Sequence, residues 1–554
     1  MRRTRKRLIF VLAGAALGVA GIVATSGSAS SPHEPDLSNV ATANTKAVGY
    51  APASKLSTEL GQITVAQGST QLENPTALIG FYGYENDVTS TGDPTKPQMV
   101  PTTGVANEAQ KTEPDKNTYL VVDRSLNGAD SNYYYGKHFL YQGHELAATV
   151  NGAKQGYITR INLDADAAHR VTLLATQTVT GTPIATIDGS TWDPWAHKLI
   201  FTTESATNPT YAATADYPST VEDISGALGR GGYEAVQNDS AGNIIIVEDI
   251  GGANKPGTTA KIPNSFVYRY VPQSPGDLHN GKLQALQVFN SAGQPITLES
   301  QTPLNSPDQI ALHTYGNTFD TQWVTVHDTA VDGTAPFNAN LAAKTVHATP
   351  FKRPENSQFR PGSRFRELYF DETGDTNATS AENPTAGGWG SVMKYTQSSP
   401  TAPTGRLTMF YKSDQAHSGF DNVSFLSRDL VTFVEDAGDT LHGQRNALDS
   451  GYIFDATQYY SDPANQPVRW LAEGRDPSAT IDSAAGGYGK NDGDNEITGT
   501  IVSDGDPSTR GILGAKVPEL FQGDGDWRVF YTQQHGDNPT YEVVSRSSEQ
   551  HGEH

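Results

Sequence analysis

The chain has 554 residues, 61 acidic against 39 basic, a formal charge of −22 and no cysteine. Such a surplus of carboxylate disfavours nucleic acid and anionic membranes as partners. The missing cysteines exclude disulfide staples and thiolate ligands, so a chain this long relies on a large core and offers cations the oxygen ligands that calcium takes.

At the start, Arg2, Arg3, Arg5, Lys6 and Arg7 lead into an apolar run over 8–24 and then Thr25-Ser26-Gly27-Ser28-Ala29-Ser30, an export signal over residues 1–30. Gly14, Gly18 and Gly21 interrupt the run, which is at the short edge for a bilayer, so cleavage near Ser31 is expected over anchoring. Thr4-Arg5-Lys6-Arg7-Leu8-Ile9 fits a degenerate twin-arginine signal as well as ordinary unfolded export, and either route puts the mature protein outside the cytoplasm. Residues 31–58 lack periodicity and predict a flexible leader; a single domain is expected over 59–545 and a disordered tail over 546–554.

Within the domain, short β-branched or aromatic runs alternate with Gly, Pro, Asn and Asp clusters, which predicts an all-β protein. The clearest strands are 197–203, 242–247, 265–271, 366–370, 430–434 and 527–532. Five runs end alike: Phe201-Thr202-Thr203-Glu204, Ile246-Val247-Glu248-Asp249, Tyr369-Phe370-Asp371-Glu372, Phe433-Val434-Glu435-Asp436 and Phe530-Tyr531-Thr532-Gln533-Gln534-His535. Acidic turns end many strands. A β-propeller with inserted loops nevertheless accounts for all five together, because equivalent strands of different blades end at one mouth of the channel, whereas a sandwich would scatter them.

Several segments resemble the PhoX-type alkaline phosphatase family, in the same order as in that family and from about Leu140 to His535. They are Gly143-His144-Glu145, Gly156 to Asp164, Ser190-Thr191-Trp192 through Glu204, Gly229-Arg230 through Glu234, Arg353-Pro354-Glu355, Asp421-Asn422 with Glu435-Asp436, Asn495-Glu496-Ile497-Thr498-Gly499, and Gln534-His535. The resemblance implies a propeller mouth holding calcium beside an iron pair, with cationic side chains on the phosphate. It implies Arg353 and Glu355 as catalytic residues and Glu204, Glu234, Glu355, Asp421, Asn422, Glu435, Asp436, Asn495 and Glu496 as metal ligands. Chemically, arginine offers a fork to phosphate oxygens, and a residue two positions along an extended segment shares its side. The rival reading of Arg353 and Glu355 is an ion pair that locks a loop about Pro354.

Departures from the family bear on the metal. Thr203 stands where the family's cysteine ligand to iron is expected, Glu204-Ser205 replaces a glutamate pair, and Tyr233 replaces the histidine before Glu234. Calcium loses no ligand by these changes and is the expected cofactor; iron is disfavoured. His144-Glu145 is expected to be structural, the histidines show no zinc spacing, and loops 487–494 and 523–526 lack the full ligand ladder of an EF-hand. The expected function is an exported, monomeric, metal-dependent phosphatase acting on small phosphate monoesters at a calcium-lined mouth. The alternatives are a calcium-binding propeller without catalysis, or another calcium-dependent propeller hydrolase, phytase-like or lactonase-like.

Overall fold

Residues two apart on a strand share a side, and in this protein both sides are buried. In the strand Lys198–Phe201, Leu199 and Phe201 pack with Phe139, Tyr141 and Ile158, while Ile200 faces the other way and packs with Val236, Ile244 and Ile246. Double burial is why these strands read as unbroken apolar runs. The computed structural model describes residues 36–40, 54–77, 79–83, 112–124, 126–145, 149–150, 153–297, 306–375, 377–379, 384–445, 447–473, 496–520, 526–534 and 538–546. Across them the pattern recurs around a ring, with a hydrophobic core between each blade and the next.

Blade 1 consists of Thr118–Val121, His138–Gly143, Ile158–Asn162 and Val171–Ala175, and blade 2 of Ser190–Asp193, Lys198–Phe201, Tyr211–Ala213 and Val221–Asp223. Blade 3 is Tyr233–Asn238, Ile244–Glu248, Val267–Pro272 and Gly281–Val288; blade 4 is Ser357–Phe359, Glu367–Glu372, Ser391–Gln397 and Thr404–Lys412. An extra strand, Phe319–Asp328, extends blade 3 and pairs with Thr404–Lys412, joining the two blades at their outer edges. Blade 5 is Phe420–Phe425, Leu430–Glu435, Ser450–Asp455 and Val468–Ala472. Blade 6 takes Glu496–Ser503, Arg528–Gln534 and Thr540–Ser545 late in the chain and completes itself with Leu60–Ala66 from near its start. First strands of successive blades touch, and that of blade 6 touches that of blade 1, so the ring is closed.

The all-β propeller expected from sequence is the observed fold, and the six clearest runs are strands to within two residues at either end. Part of the segment read as flexible leader is docked: Lys55–Leu56 pairs with Val468–Ala472, and the Val40 N–H donates to the Arg469 carbonyl at 2.7 Å. The export segment 1–30 and tail residues 547–554 lie outside the described residues. Among those described, no helix is long and apolar enough to cross a membrane.

Candidate active site

Antiparallel pairing places the start of each blade's first strand beside the end of its second, as in Tyr233 opposite Glu248, Phe420 opposite Glu435 and Glu496 opposite Gln534. One rim of the channel therefore gathers acids from both. First strands bring Asp115, Asp188, Glu234, Glu355, Asp421 and Glu496 at or just before their starts. Second strands bring Glu145, Glu204, Asp249 and Asp436 just past their ends.

Period-two alternation decides which acids reach the mouth. Glu248 turns into its blade and accepts from Phe266 N–H, Tyr268 Oη and Asn340 Nδ2, at 3.0, 3.1 and 3.0 Å. Glu372 does the same with Lys352 N–H, His313 and Ser391. Glu435, expected among the metal ligands, is also turned inward: both Arg445 terminal nitrogens donate to it at 2.9 and 3.0 Å, and the Ser418 and Ser450 N–H groups fill its remaining lone pairs. Its neighbour Asp436 takes the other side of the strand.

Three sets of carboxylates each bring oxygens within 4.8 Å of one another: Asp115, Glu145 and Glu496; Asp188, Glu204 and Glu234; Glu234, Asp249 and Glu355. Each set straddles neighbouring blades, and Glu234 belongs to two of them. Burial, followed by the charge of Glu355, pushes the Glu234 carboxyl well above its ordinary range. Burial and then Glu234 do the same to Asp188, and burial and then Asp436 to Glu496. Glu204, recessed in the channel although open to water, is pushed up to about 7 by loss of hydration and by Asp249 and Asp115. Crowding of this kind is unfavourable without countercharge. Asp188 Oδ2 and Asp249 Oδ1 are buried with no hydrogen-bond donor, which fits a hard cation as the missing partner.

Two cationic side chains sit among these acids. Arg353 has φ of 62°, a left-handed conformation unusual for a side chain of this size. Its carbonyl accepts from Thr373 N–H at 2.8 Å, Nε donates to Asp249 Oδ2 at 2.7 Å, and Nη2 lies 2.6 Å from Asp249 Oδ2 and 3.2 Å from Glu355 Oε1. The loop-locking ion pair is real, yet Nη1 stays buried without an acceptor. Lys116, which sequence reading missed, donates through Nζ to Asn422 Oδ1 at 3.0 Å, and Asn422 Nδ2 in turn donates to Asp421 Oδ2 at 2.6 Å. The Asn422 oxygen is thus engaged by an ammonium rather than offered to a metal.

Of the ligands expected from sequence, Glu204, Glu234, Glu355 and Glu496 fall in the three sets, whereas Asp421 and Asp436 line the rim outside them. Asn495 and His535 lie outside the described residues, as does most of loops 487–494 and 523–526. Sequence reading did not pick out Asp115 and Asp188, placed Asp249 at the end of a mouth-facing run without naming it a ligand, and took Glu145 as structural; its neighbour His144 is structural, held between Thr112 and Thr159 at 3.1 and 2.9 Å. Thr203 Oγ1 donates to the Pro209 carbonyl at 3.0 Å and Tyr233 Oη to that of Leu228 at 2.8 Å. Both positions where the family's iron ligands were expected therefore bond within their own blade surroundings. Beneath the mouth lies a cavity of about 40 Å³ lined by Asn117, Gln237 and Thr500, floored by residues of the segment 506–513.

This is a closed propeller with a carboxylate-lined mouth. Residues 235–503 match the family model described as alkaline phosphatase PhoX. A solved structure of Pseudomonas fluorescens PhoX in complex with vanadate, a transition state analogue, is similar with a TM-score of 0.53 and 10% identity, covering 91% of this chain and 98% of that one. The Pseudomonas aeruginosa periplasmic gluconolactonase is similar with a TM-score of 0.31 and 12% identity, covering 88% and 96%. No curated protein sequence matches the chain.

Proposed function

We propose that the protein is an exported phosphomonoesterase whose mouth holds divalent cations, calcium first among them. The observation that carries this reading is the gathering of three carboxylate sets at one mouth, one of which holds Arg353 through Asp249 and Glu355 while its Nη1 has no acceptor. Cations bound there would neutralise the ester and polarise its phosphorus. Asp188, Glu204, Glu234, Asp249 and Glu355 are the residues to hold them on the Arg353 side, and Asp115, Glu145 and Glu496 on the other. Arg353 fixes the phosphate by a charge-assisted bond from Nη1. Glu355 both holds Arg353 and offers oxygen to a cation. Burial pulls the Lys116 ammonium below its ordinary range, while the charges of Asp421, Asp115, Asp371 and Asp188 around it favour its protonated form. An oxygen-only set favours calcium over iron. Export rests on the basic and apolar residues 1–30.

Metal analysis of the mature protein, with hydrolysis of a chromogenic phosphate ester before and after chelation, tests the reading. Bound calcium, activity lost on chelation and activity regained with calcium are expected. A protein that binds calcium but hydrolyses nothing with calcium or iron supplied is a binding module instead. N-terminal sequencing of secreted material should begin near Ser31; an intact 8–24 segment would mean an anchored protein.

A further inference from the structure

Resting on the reading of the mouth as a cation-bound ester site, we propose that Thr373 is a positioning residue, holding Glu355 and Arg353 in place from a position where other blades carry an acid. At the end of a blade's second strand, a side chain turned into the blade is followed by one that faces the mouth: His144 by Glu145, Thr203 by Glu204, Glu248 by Asp249 and Glu435 by Asp436. In blade 4 the inward acid is Glu372, bonded to Lys352 N–H and His313, and the residue that follows it is Thr373. Thr373 is only 1% exposed, so its polar groups answer to protein neighbours rather than to water.

Those neighbours are the two residues at the centre of the site. The Thr373 N–H donates to the Arg353 carbonyl at 2.8 Å, while Oγ1 lies 2.7 Å from Glu355 Oε1 and 2.8 Å from the Phe420 carbonyl oxygen. A hydroxyl has one proton to donate, and an ionised Glu355 is the stronger acceptor of the two. Arg353 Nη2 lies 3.2 Å from the same Oε1, so two donors take one oxygen and leave Oε2 as the one Glu355 can offer a cation. The turn grips the segment on either side as well, through Gly374 N–H to the Lys352 carbonyl at 3.1 Å and Asn356 N–H to Asp371 Oδ1 at 2.7 Å. Arg353 carries a left-handed φ of 62°, a conformation that persists only where its surroundings enforce it, and the Thr373 N–H on its carbonyl is part of that enforcement. An aspartate here, as in blades 3 and 5, would bring no proton for Glu355 and would set like charges side by side. Blade 4 thus supplies a donor to a ligand where other blades supply a ligand.

The test compares wild type, Thr373→Val and Thr373→Ser. Calcium affinity is measured by calorimetry, kcat and KM with a chromogenic phosphate monoester, and melting temperature in the presence of chelator. Thr373→Val keeps the shape and the N–H but removes the hydroxyl donor. It is expected to weaken calcium binding and to lower kcat/KM by about tenfold each, as loss of an outer partner of a metal ligand does, with the metal-free melting temperature within about two degrees of wild type. Thr373→Ser should restore both. If Thr373→Val does not fold, Thr373→Ala takes its place in the comparison. Equal calcium affinity in wild type and Thr373→Val overturns the assignment, and a lower metal-free melting temperature alongside it would make Thr373 a joint to blade 5 through Phe420. A loss that Thr373→Ser shares in full also overturns it, since the methyl group would then be the cause. Wild type whose calcium affinity depends on Thr373 but which hydrolyses no ester upholds the positioning of Glu355 and overturns the phosphatase reading. Wild type that binds no calcium overturns both.

Discussion

The two ends of the channel treat aspartate and glutamate in opposite ways. At the floor, Asp504 and Asp506 share the ammonium of Lys516, and the Trp192 indole N–H donates to the Pro507 carbonyl at 2.7 Å, so the segment is neutralised and pinned from within the chain. At the mouth, carboxylates outnumber the cationic side chains among them, and oxygens of Asp188 and Asp249 find no donor. The same residue type serves folding where its countercharge is covalently supplied, and serves binding where that countercharge must come from solution.

The contrast is broken most severely by removing the acid that two sets share. Glu234→Gln should lower phosphate-ester hydrolysis by about a thousandfold and abolish the calcium-dependent rise in melting temperature; steady-state rates with melting curves decide it, and a variant keeping both would remove Glu234 from the cation site. Arg353→Ala separates the two roles. It should cost about a hundredfold in kcat/KM while the calcium effect on melting persists, whereas Glu355→Gln should lose both, because an arginine offers no lone pair to a cation.

Acidity sharpens the comparison without mutation. Carboxyls such as Glu204, raised from 4.5 to about 7, Asp188, raised well above its ordinary range by burial and the charge of Glu234, and Glu234, raised likewise by burial and the charge of Glu355, hold more protons folded than unfolded. Stability without metal must then fall as pH rises from about 4.5 through 7 and beyond, because the folded state is increasingly penalised as these groups ionise. On the proposed reading calcium would take the place of these protons. The melting gap between calcium-loaded and chelated protein should be wider at pH 8 than at pH 5, and an equal gap at both would contradict a mouth-centred site. The smallest effect belongs to the floor. Lys516→Met should lower the melting temperature by about one or two degrees and leave calcium response and hydrolysis unchanged.

Half of this mouth was legible in the sequence. The five runs ending in acid or amide groups are indeed equivalent second strands, because an apolar run followed by a polar acid or amide is a contrast that a linear reading detects. The other half comes from first strands, where Asp115 and Asp188 precede short polar stretches, Asn117-Thr118-Tyr119 and Gly189-Ser190-Thr191, that carry little contrast. Their place follows only from pairing: whatever begins a first strand lies beside whatever ends the second. Glu435 was misassigned for a similar reason. In Glu435-Asp436 either acid can end the strand, and only knowing which side Phe433 buries settles which one faces the mouth.

The set formed by Asp115, Glu145 and Glu496 spans blades 6 and 1, and there Gln534 Nε2 donates to Glu145 Oε1 at 2.9 Å. Blade 6 is also where the start of the domain closes on its end, Leu60–Ala66 pairing with Thr540–Ser545. An ion seated on all three carboxylates would work as a clasp. An open ring holds Glu496 apart from its two partners and cannot coordinate it fully, so tightness for the ion and reluctance of the ring to spring apart are one quantity measured from two sides.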